Sequence, residues 1–326
     1  MRKILLIGVG RFGQNHLRIL NELNRDTYEL YASDTDEKEL DSCRTYNMPK
    51  DKYSRDYRDF LDTVEGVDIF TPTDSHYELC KEFLMSGKDV FVEKPFTMNS
   101  KEAQELIGIQ EQNACILQVG HMHRYNPVVE FAKEEIDSGR LGEIRYIYGH
   151  FMGFKRMRTD VGVAHTDSIH YFDICNFLIG QTPDTVQAIS KDVMGRGMED
   201  ISVVFLNYGD VLVQVESGYF APGKWRDFTI VGSKETIEMD VVKQTAMVHY
   251  NRFEKKGGNL AAVRNGITSP EISFREPLRV EIQDFLNCLQ SRRKPRADAK
   301  AGLDMIKIVE AVERSSRLRK EVALDA

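Results

Sequence analysis

The chain has 326 residues, with 44 Lys and Arg against 51 Asp and Glu and a net charge of −7. That length favours two domains over one, and an acidic balance with both signs mixed along the chain argues against nucleic acid as the main partner, though not against one phosphorylated small molecule in a local basic pocket. The five cysteines, Cys43, Cys80, Cys115, Cys175 and Cys288, show no C-x-x-C and no metal spacing, the pattern of free thiols in a reducing cytosol.

The chain opens on "MRKILLIGVG", too short and glycine-broken for a signal peptide. No later apolar run approaches the roughly 18 residues of a membrane span, so a cytoplasmic protein without membrane contact is expected. "KILLIGVG" reads as a continuous apolar strand, and "RFGQNHLRILNELN" as a helix with Phe12, His16, Leu20 and Leu23 at helical spacing. A strand "YELYASD" follows, then helices around "DEKELDSC" and "RDYRDFLDTV", strand "VDIFTPT", helix "HYELCKEFLMSG", strand "DVFVEKP", helix "SKEAQELIGIQEQ" and strand "CILQVGH". Strands alternating with helices and rich in Val, Ile and Leu indicate a parallel sheet covered on both faces.

From about residue 124 the pattern changes. After a helix starting near Asn126-Pro127, strand-like runs succeed one another: "EIRYIYGHF", "TVQAISKDV", "DISVVFLNY", "VLVQVESGYF", "DFTIVGS", "ETIEMDV" and "AMVHY". Alternation such as Val211, Val213 and Val215 points to a large, mainly antiparallel sheet with one face packed. "RFEKKGGNLAAVRNGITSP" reads as a long loop, a candidate for disorder or an interface. The tail returns to helix in "PLRVEIQDFLNCLQS" and "AKAGLDMIKIVEAVERSSRLRK". The expected division is residues 1–123, binding a dinucleotide, and 124–326, binding substrate and building an oligomer, with the last helices packing back on the first domain.

"GVGRFG" sets Gly8, Gly10 and Gly13 in G-x-G-x-x-G spacing between a strand and a helix, with Asp34 about twenty residues on at the end of the second strand. In this pattern the first glycine allows the tight turn, the second admits a pyrophosphate to the backbone, and the third lets the helix pack closely. The phosphates sit on free N–H groups at the helix start, around Arg11 and Phe12. Asp34 accepts from ribose hydroxyls, and with Asp36 beside it repels a 2′-phosphate, so NAD is favoured over NADP. A helix-capping role for the two acids is the alternative. Ligands of such sheets bind beyond the carboxyl ends of the strands. Thr71, Thr73, His76, Glu93 and Lys94 fall there, Pro95 ends the ladder, and Lys94 projects a cation beside the cofactor. An outward-facing surface Glu-Lys pair is the competing reading. His121 and His123 form an H-x-H pair with no carboxylate or cysteine cluster to support a metal.

With "TPTDSH", "EKP", "GHMHRYNP" and "HTDSIHYFD" following the glycine motif in order, the chain resembles the glucose-fructose oxidoreductase and inositol dehydrogenase family over nearly its whole length. The resemblance implies an α/β architecture: an N-terminal Rossmann domain, then an α/β domain whose large open sheet often builds an oligomer, here a homodimer or homotetramer. It also implies NAD(P)-dependent chemistry at a carbinol of a sugar or cyclitol, with the E-K-P lysine and a second-domain histidine flanking the reacting carbon. These correspond to Lys94 and His170. The family places an acid four residues before that histidine. Here that position is Thr166, and the nearest acid, Asp167, lies three before, where on a helix it would orient His170 or bind substrate. Apart from the resemblance, His170 also reads as a core histidine satisfied by backbone. Arg124, Tyr125, Asn126 and Asp173 are further candidates for substrate contact. "GHMHRYNPVV" and "FKRMRTDVG" look like the branch acting on nucleotide-linked sugars, with Arg156 and Arg158 meeting a diphosphate and a UDP-N-acetylhexosamine oxidised at C3. A free cyclitol or monosaccharide is the alternative substrate. An NAD-binding sensor that has lost the chemistry is the alternative class.

Overall fold

Runs of buried Ile, Leu and Val flanked by amphipathic helices build the first half of the chain. The computed structural model describes residues 1–23, 27–155, 157–158 and 160–324. They divide into two compact units, Met1–Met122 with Leu278–Ile306, and His123–Pro277 with Lys307–Ala326. No helix among the described residues is long and apolar enough to cross a membrane.

In the first unit the chain runs β1 (Arg2–Ile7), α1 (Gly13–Glu22), β2 (Tyr28–Ser33), α2 (Asp41–Thr45), β3 (Tyr53–Ser54), β4 (Gly66–Ile69), α3 (Thr73–Met85), β5 (Asp89–Glu93), α4 (Ser100–Gln112) and β6 (Leu117–Gly120). All six strands are parallel, in the order β3-β2-β1-β4-β5-β6. The order reverses direction between β1 and β4, the switch point at which such sheets take their ligands. The helix expected over 55–64 is a single 3-10 turn, Tyr57–Phe60, capped by Asp56.

Burial explains why these strands are apolar throughout. Leu5, Ile7, Val67, Ile69, Val90, Val92 and Leu117 pack on one face against α3 and α4, and Ile4, Leu6, Leu30 and Phe91 pack on the other against α1. The sheet therefore has no wet face to demand alternation.

The second unit contains α5 (Pro127–Asp137), β7 (Ile144–Met152), α6 (Ile169–Ile179), β8 (Thr185–Lys191), β9 (Ile201–Tyr208), β10 (Val211–Gly218), β11 (Trp225–Gly232), β12 (Thr236–Asp240), β13 (Thr245–Lys256) and β14 (Asn259–Thr268). Of the terminal helices, α7 (Pro277–Ser291) sends Ile282, Phe285 and Leu289 into the core of the first unit, while α8 (Ala299–Leu318) is divided at Ile306 between the two units. The closing strand, β15 (Val322–Ala323), pairs with β8.

The nine-stranded sheet has the order β14-β13-β12-β11-β7-β10-β9-β8-β15 and is antiparallel except between β7 and β10. Its alternation is clean: Val213, Val215, Ile147, Phe228, Ile230 and Val204 are buried on one face. Residues 252–270, expected as a loop, instead form the outer half of β13 and all of β14. Their charge and glycine content conceal a two-stranded hairpin whose turn is Gly257-Gly258, both at positive φ, the geometry a tight hairpin connection needs.

Candidate active site

At the carboxyl ends of the first sheet, the turn between β1 and α1 is held by close backbone approach. A Cβ on Gly8, whose φ is +92°, would lie 2.0 Å from the Phe70 carbonyl oxygen, and one on Gly13 would lie 2.0 Å from that of Gly8. Gly10, by contrast, faces open space, with no other atom closer than 3.8 Å to its would-be Cβ. Phe12 stands at the N-cap of α1 and supplies no side-chain cap; Gln14 and Asn15 donate to the Gly10 and Phe12 carbonyls, so an outside acceptor would meet the N–H groups earlier in the glycine turn. Asp34 closes the arrangement. Its Oδ2 accepts the Val9 N–H at 2.9 Å and its Oδ1 the Asp36 N–H at 3.0 Å, and each oxygen keeps a second lone pair. An uncapped helix N-terminus, a glycine cradle and a fixed carboxylate fit a dinucleotide.

Beyond β4 and β5 the structure brings Thr71, His76, Glu93, Lys94 and Pro95 together. His76 is buried and bridges the two strand ends, with Nδ1 2.8 Å from the Pro95 carbonyl and Nε2 2.9 Å from that of Thr71. Both ring nitrogens thus face main-chain carbonyls, to one of which a neutral imidazole donates, and His76 packs beneath the loop that carries Lys94. Thr71 Oγ1 and Ser75 Oγ are 2.6 Å apart, and Thr73 begins α3 as a buried residue.

Two residues outside the sequence expectation complete this end. Asp68, in β4, lies 2.8 Å through Oδ2 from Nδ1 of the buried His16, whose Nε2 is 3.4 Å from Glu93 Oε1. Burial works against a charge on His16, but the two carboxylates outweigh it and raise its pKa to about 10. Burial raises the Asp68 pKa, whereas Glu93 is lowered, its burial outweighed by His16 and Lys94. The raised values of Asp68 and His16 describe one shared proton, and we take it to reside on the imidazole because a second carboxylate faces that ring.

In the second unit, His170 sits in the first turn of α6, half-buried. Its ring stacks on Phe151 at 5.2 Å between centroids and meets His123 edge-on at 4.8 Å. The preceding turn, Ala164–Ser168, is π-helical, a form that occurs mostly as single turns and often at functional sites. Asp167 turns its Oδ1 to Lys155 Nζ at 2.6 Å, while its buried Oδ2 has no hydrogen-bond partner. Asp167, expected to orient His170 or bind substrate, is thus engaged by Lys155. Thr166 Oγ1 lies 2.7 Å from Tyr219 Oη.

Lys155 lies over the rings of Phe151 and Tyr219, and the buried Arg226 guanidinium lies 3.7 Å from the Phe151 centroid. Sequence reasoning missed Lys155, Tyr219 and Arg226. Only the basic run at 154–158 hinted at the first.

The remaining candidates have partners that brace the fold. Arg124 Nε donates to Asp173 Oδ1 at 2.8 Å, tying the turn before α5 to α6. Asn126 caps α5 through Oδ1 and donates to the Val241 carbonyl at 2.7 Å, so its amide is engaged at both ends. Tyr125 is buried. Arg158 is paired with Asp160, its Nε donating at 2.8 Å, so a diphosphate would compete with a carboxylate there. Arg156 lies outside the described residues.

The GFO/IDH/MocA model, described as an oxidoreductase family with an NAD-binding Rossmann fold, matches residues 2–121, and its C-terminal alpha/beta domain matches residues 133–324. The chain belongs to this oxidoreductase family. As a GFO/IDH/MocA protein it is an NAD-dependent enzyme. Among curated relatives it is 26% identical to the UDP-N-acetylglucosamine 3-dehydrogenase of Acidithiobacillus ferrooxidans over 244 residues, 74% of this chain and 75% of that protein. It is 25% identical to the NAD(+)-dependent scyllo-inositol 2-dehydrogenase of Bacillus subtilis over 266 residues, 75% of this chain and 74% of that protein.

Among solved structures, the A. ferrooxidans enzyme superposes with a TM-score of 0.84 at 21% identity, covering 97% of each chain. A levoglucosan dehydrogenase in complex with NADH and levoglucosan superposes with a TM-score of 0.85 at 17% identity, covering 100% of each. At these identities the superpositions speak to the fold that GFO/IDH/MocA proteins share.

Proposed function

We propose that the protein interconverts a ring carbinol of a sugar and the corresponding ketone, with C3 of a UDP-N-acetylhexosamine as the reacting carbon. The observation that carries the reaction class is the position of Lys94, immediately beyond β5 at the nucleotide-binding end of the first sheet. NAD, when bound, supplies the hydride acceptor or donor. In the oxidation direction Lys94 hydrogen-bonds the carbinol oxygen and stabilises the negative charge that develops there, while His170 takes the hydroxyl proton. A positioned acid–base group of this kind contributes about 10²- to 10⁴-fold. Phe151 fixes the plane of the His170 ring, and the Arg124–Asp173 pair anchors the helix that carries it. Asp34 underlies a preference for NAD over NADP, since its carboxylate would repel a 2′-phosphate.

The likeness to a UDP-N-acetylglucosamine 3-dehydrogenase over three quarters of the chain supports the nucleotide-sugar substrate. The scyllo-inositol 2-dehydrogenase supports a free cyclitol as the second reading. The test is NADH formation with UDP-N-acetylglucosamine, UDP-N-acetylgalactosamine, free N-acetylglucosamine, glucose, scyllo-inositol and myo-inositol, each with NAD and with NADP. Turnover confined to the UDP-sugars is expected. Turnover of the free polyols alone would replace the substrate, and NAD binding without turnover of any of them would favour a sensor.

A further inference from the structure

His16 lies on the inner face of α1 and is 1% exposed, as is Asp68 on β4. A histidine buried against strands is ordinarily satisfied by main-chain groups, yet this one faces two carboxylates, Asp68 at Nδ1 and Glu93 at Nε2. The rest of its pocket is apolar: Phe70 lies 4.7 Å away between ring centroids, and Phe91 stacks at 5.7 Å. An ionised carboxylate only accepts hydrogen bonds. With the shared proton on the imidazole, both ring nitrogens carry hydrogen; with it on Asp68, that acid donates to Nδ1 and Nε2 still carries its own. In both distributions Nε2 carries a hydrogen and lies 3.4 Å from Glu93 Oε1, an ion-pair distance without hydrogen-bond geometry.

Glu93 is fixed from three sides. Its Oε1 faces His16, its Oε2 accepts the main-chain N–H of Lys94 at 3.1 Å, and it lies flat against Gly120, where a Cβ would come within 2.7 Å of its carboxyl carbon. The strand end is thus tied through one side chain to α1 and β4, and the residue immediately after that tie is Lys94.

We propose that His16, set by Asp68, is a positioning residue for Lys94: its imidazolium, 3.4 Å from Glu93 Oε1, holds that carboxylate by charge and thereby the peptide that carries the lysine. The inference rests on the role assigned to Lys94 above. It has an electrostatic consequence as well as a geometric one. The titratable groups facing one another across this pocket are His16 from α1, Asp68 from β4, and Glu93 and Lys94 from the end of β5. The positive charge on His16 offsets Glu93, so its removal leaves Lys94 beside an uncompensated anion, which favours the ammonium form.

The test has an arm that needs no substrate. In the apo protein near pH 8, where an ordinary imidazole is neutral, the His16 ring nitrogens, assigned by their loss in His16→Gln, should both give protonated chemical shifts. Lys94 is then titrated through an isotopically labelled dimethylamine, assigned with Lys94→Met. Its midpoint should move up by about one pH unit in His16→Gln and down in Glu93→Gln, opposite signs that loosened packing would not produce. With a substrate from the panel above, His16→Gln should lose about tenfold or more in kcat while its NAD Kd stays within about threefold.

An unprotonated Nε2 in the wild type, or a Lys94 midpoint unmoved in both variants, would overturn the proposal. Should His16→Gln fail to fold, the wild-type ring shifts and the Glu93→Gln titration decide it. Wild-type kcat in Lys94→Met would instead remove the catalytic reading of Lys94, leaving the ring shifts to report on His16 and Glu93 separately.

Discussion

A lysine at a strand end works as a catalyst only if its peptide is held still, because a misplaced donor forfeits much of the advantage of proximity. Here the residues on both sides of Lys94 are tied down, Glu93 through His16 and Pro95 through His76. Lys94→Met keeps much of the side chain's apolar length and removes its charge. It is expected to lower kcat about a hundredfold or more while changing NAD affinity little, since the lost interaction strengthens only in the transition state. Steady-state kinetics beside a fluorescence titration of NAD separate the two quantities. A second expectation concerns stability. The pKa of His16 is raised from 6.5 to about 10 in the folded protein. The native state therefore holds a proton that the unfolded chain releases, and the associated stability is complete below pH 6.5 and lost as pH rises through about 10. Urea unfolding of wild type and His16→Asn should show a gap near the lower end of that window that narrows toward its upper end. A gap constant with pH would mean that the imidazole is not charged in the native state.

At the scale of elements, caps and turns fix where the functional side chains begin. Asn126 both caps α5 and reaches the Val241 carbonyl after β12. Asn126→Ala removes the cap and leaves a buried carbonyl unpaired, so a loss of about 2 kcal/mol is expected, read as a lowered urea midpoint at unchanged slope. The start of that helix was legible because Asn followed by Pro is a local signal. The alternation of strand and helix, the G-x-G-x-x-G turn and the abrupt end of "DVFVEKP" were legible for the same reason: each depends on neighbours in sequence. What escaped is non-local. His16 reads as one more residue on an amphipathic face, and its partner Asp68 is 52 positions away. The π-helical turn before α6 gives no local sign, and neither does the pairing of Asp167 with Lys155, 12 positions away. The outer half of β13 and all of β14 were hidden because their residues are almost all exposed, so no buried apolar face marks them, whereas Ala246 and Val248 in the inner half of β13 alternate and are buried.

For the whole molecule, the decisive feature is the outer face of the nine-stranded sheet. Strand register places Ile189, Phe205, Leu212, Tyr146, Tyr148, Trp225 and Met247 on that side, opposite the buried face. Ile189, Leu212, Trp225 and Met247 are exposed, and the hairpin adds exposed Phe253, Leu260 and Ile267. Exposed large apolar side chains recurring on several strands of one face mark an interaction surface, and a two-stranded hairpin is marginal on its own. A second copy of the same face covers both most simply, since a two-fold interface is self-complementary. The protein is therefore expected to be a homodimer or homotetramer of its 37.4 kDa chain by light scattering at micromolar concentration. Trp225→Lys combined with Leu212→Lys should shift it to monomer, because each dimer interface would then bury four unpaired ammonium groups. A monomeric mass for the wild type would mean that this face is wet as it stands. An unchanged oligomer in the double variant would place the interface elsewhere.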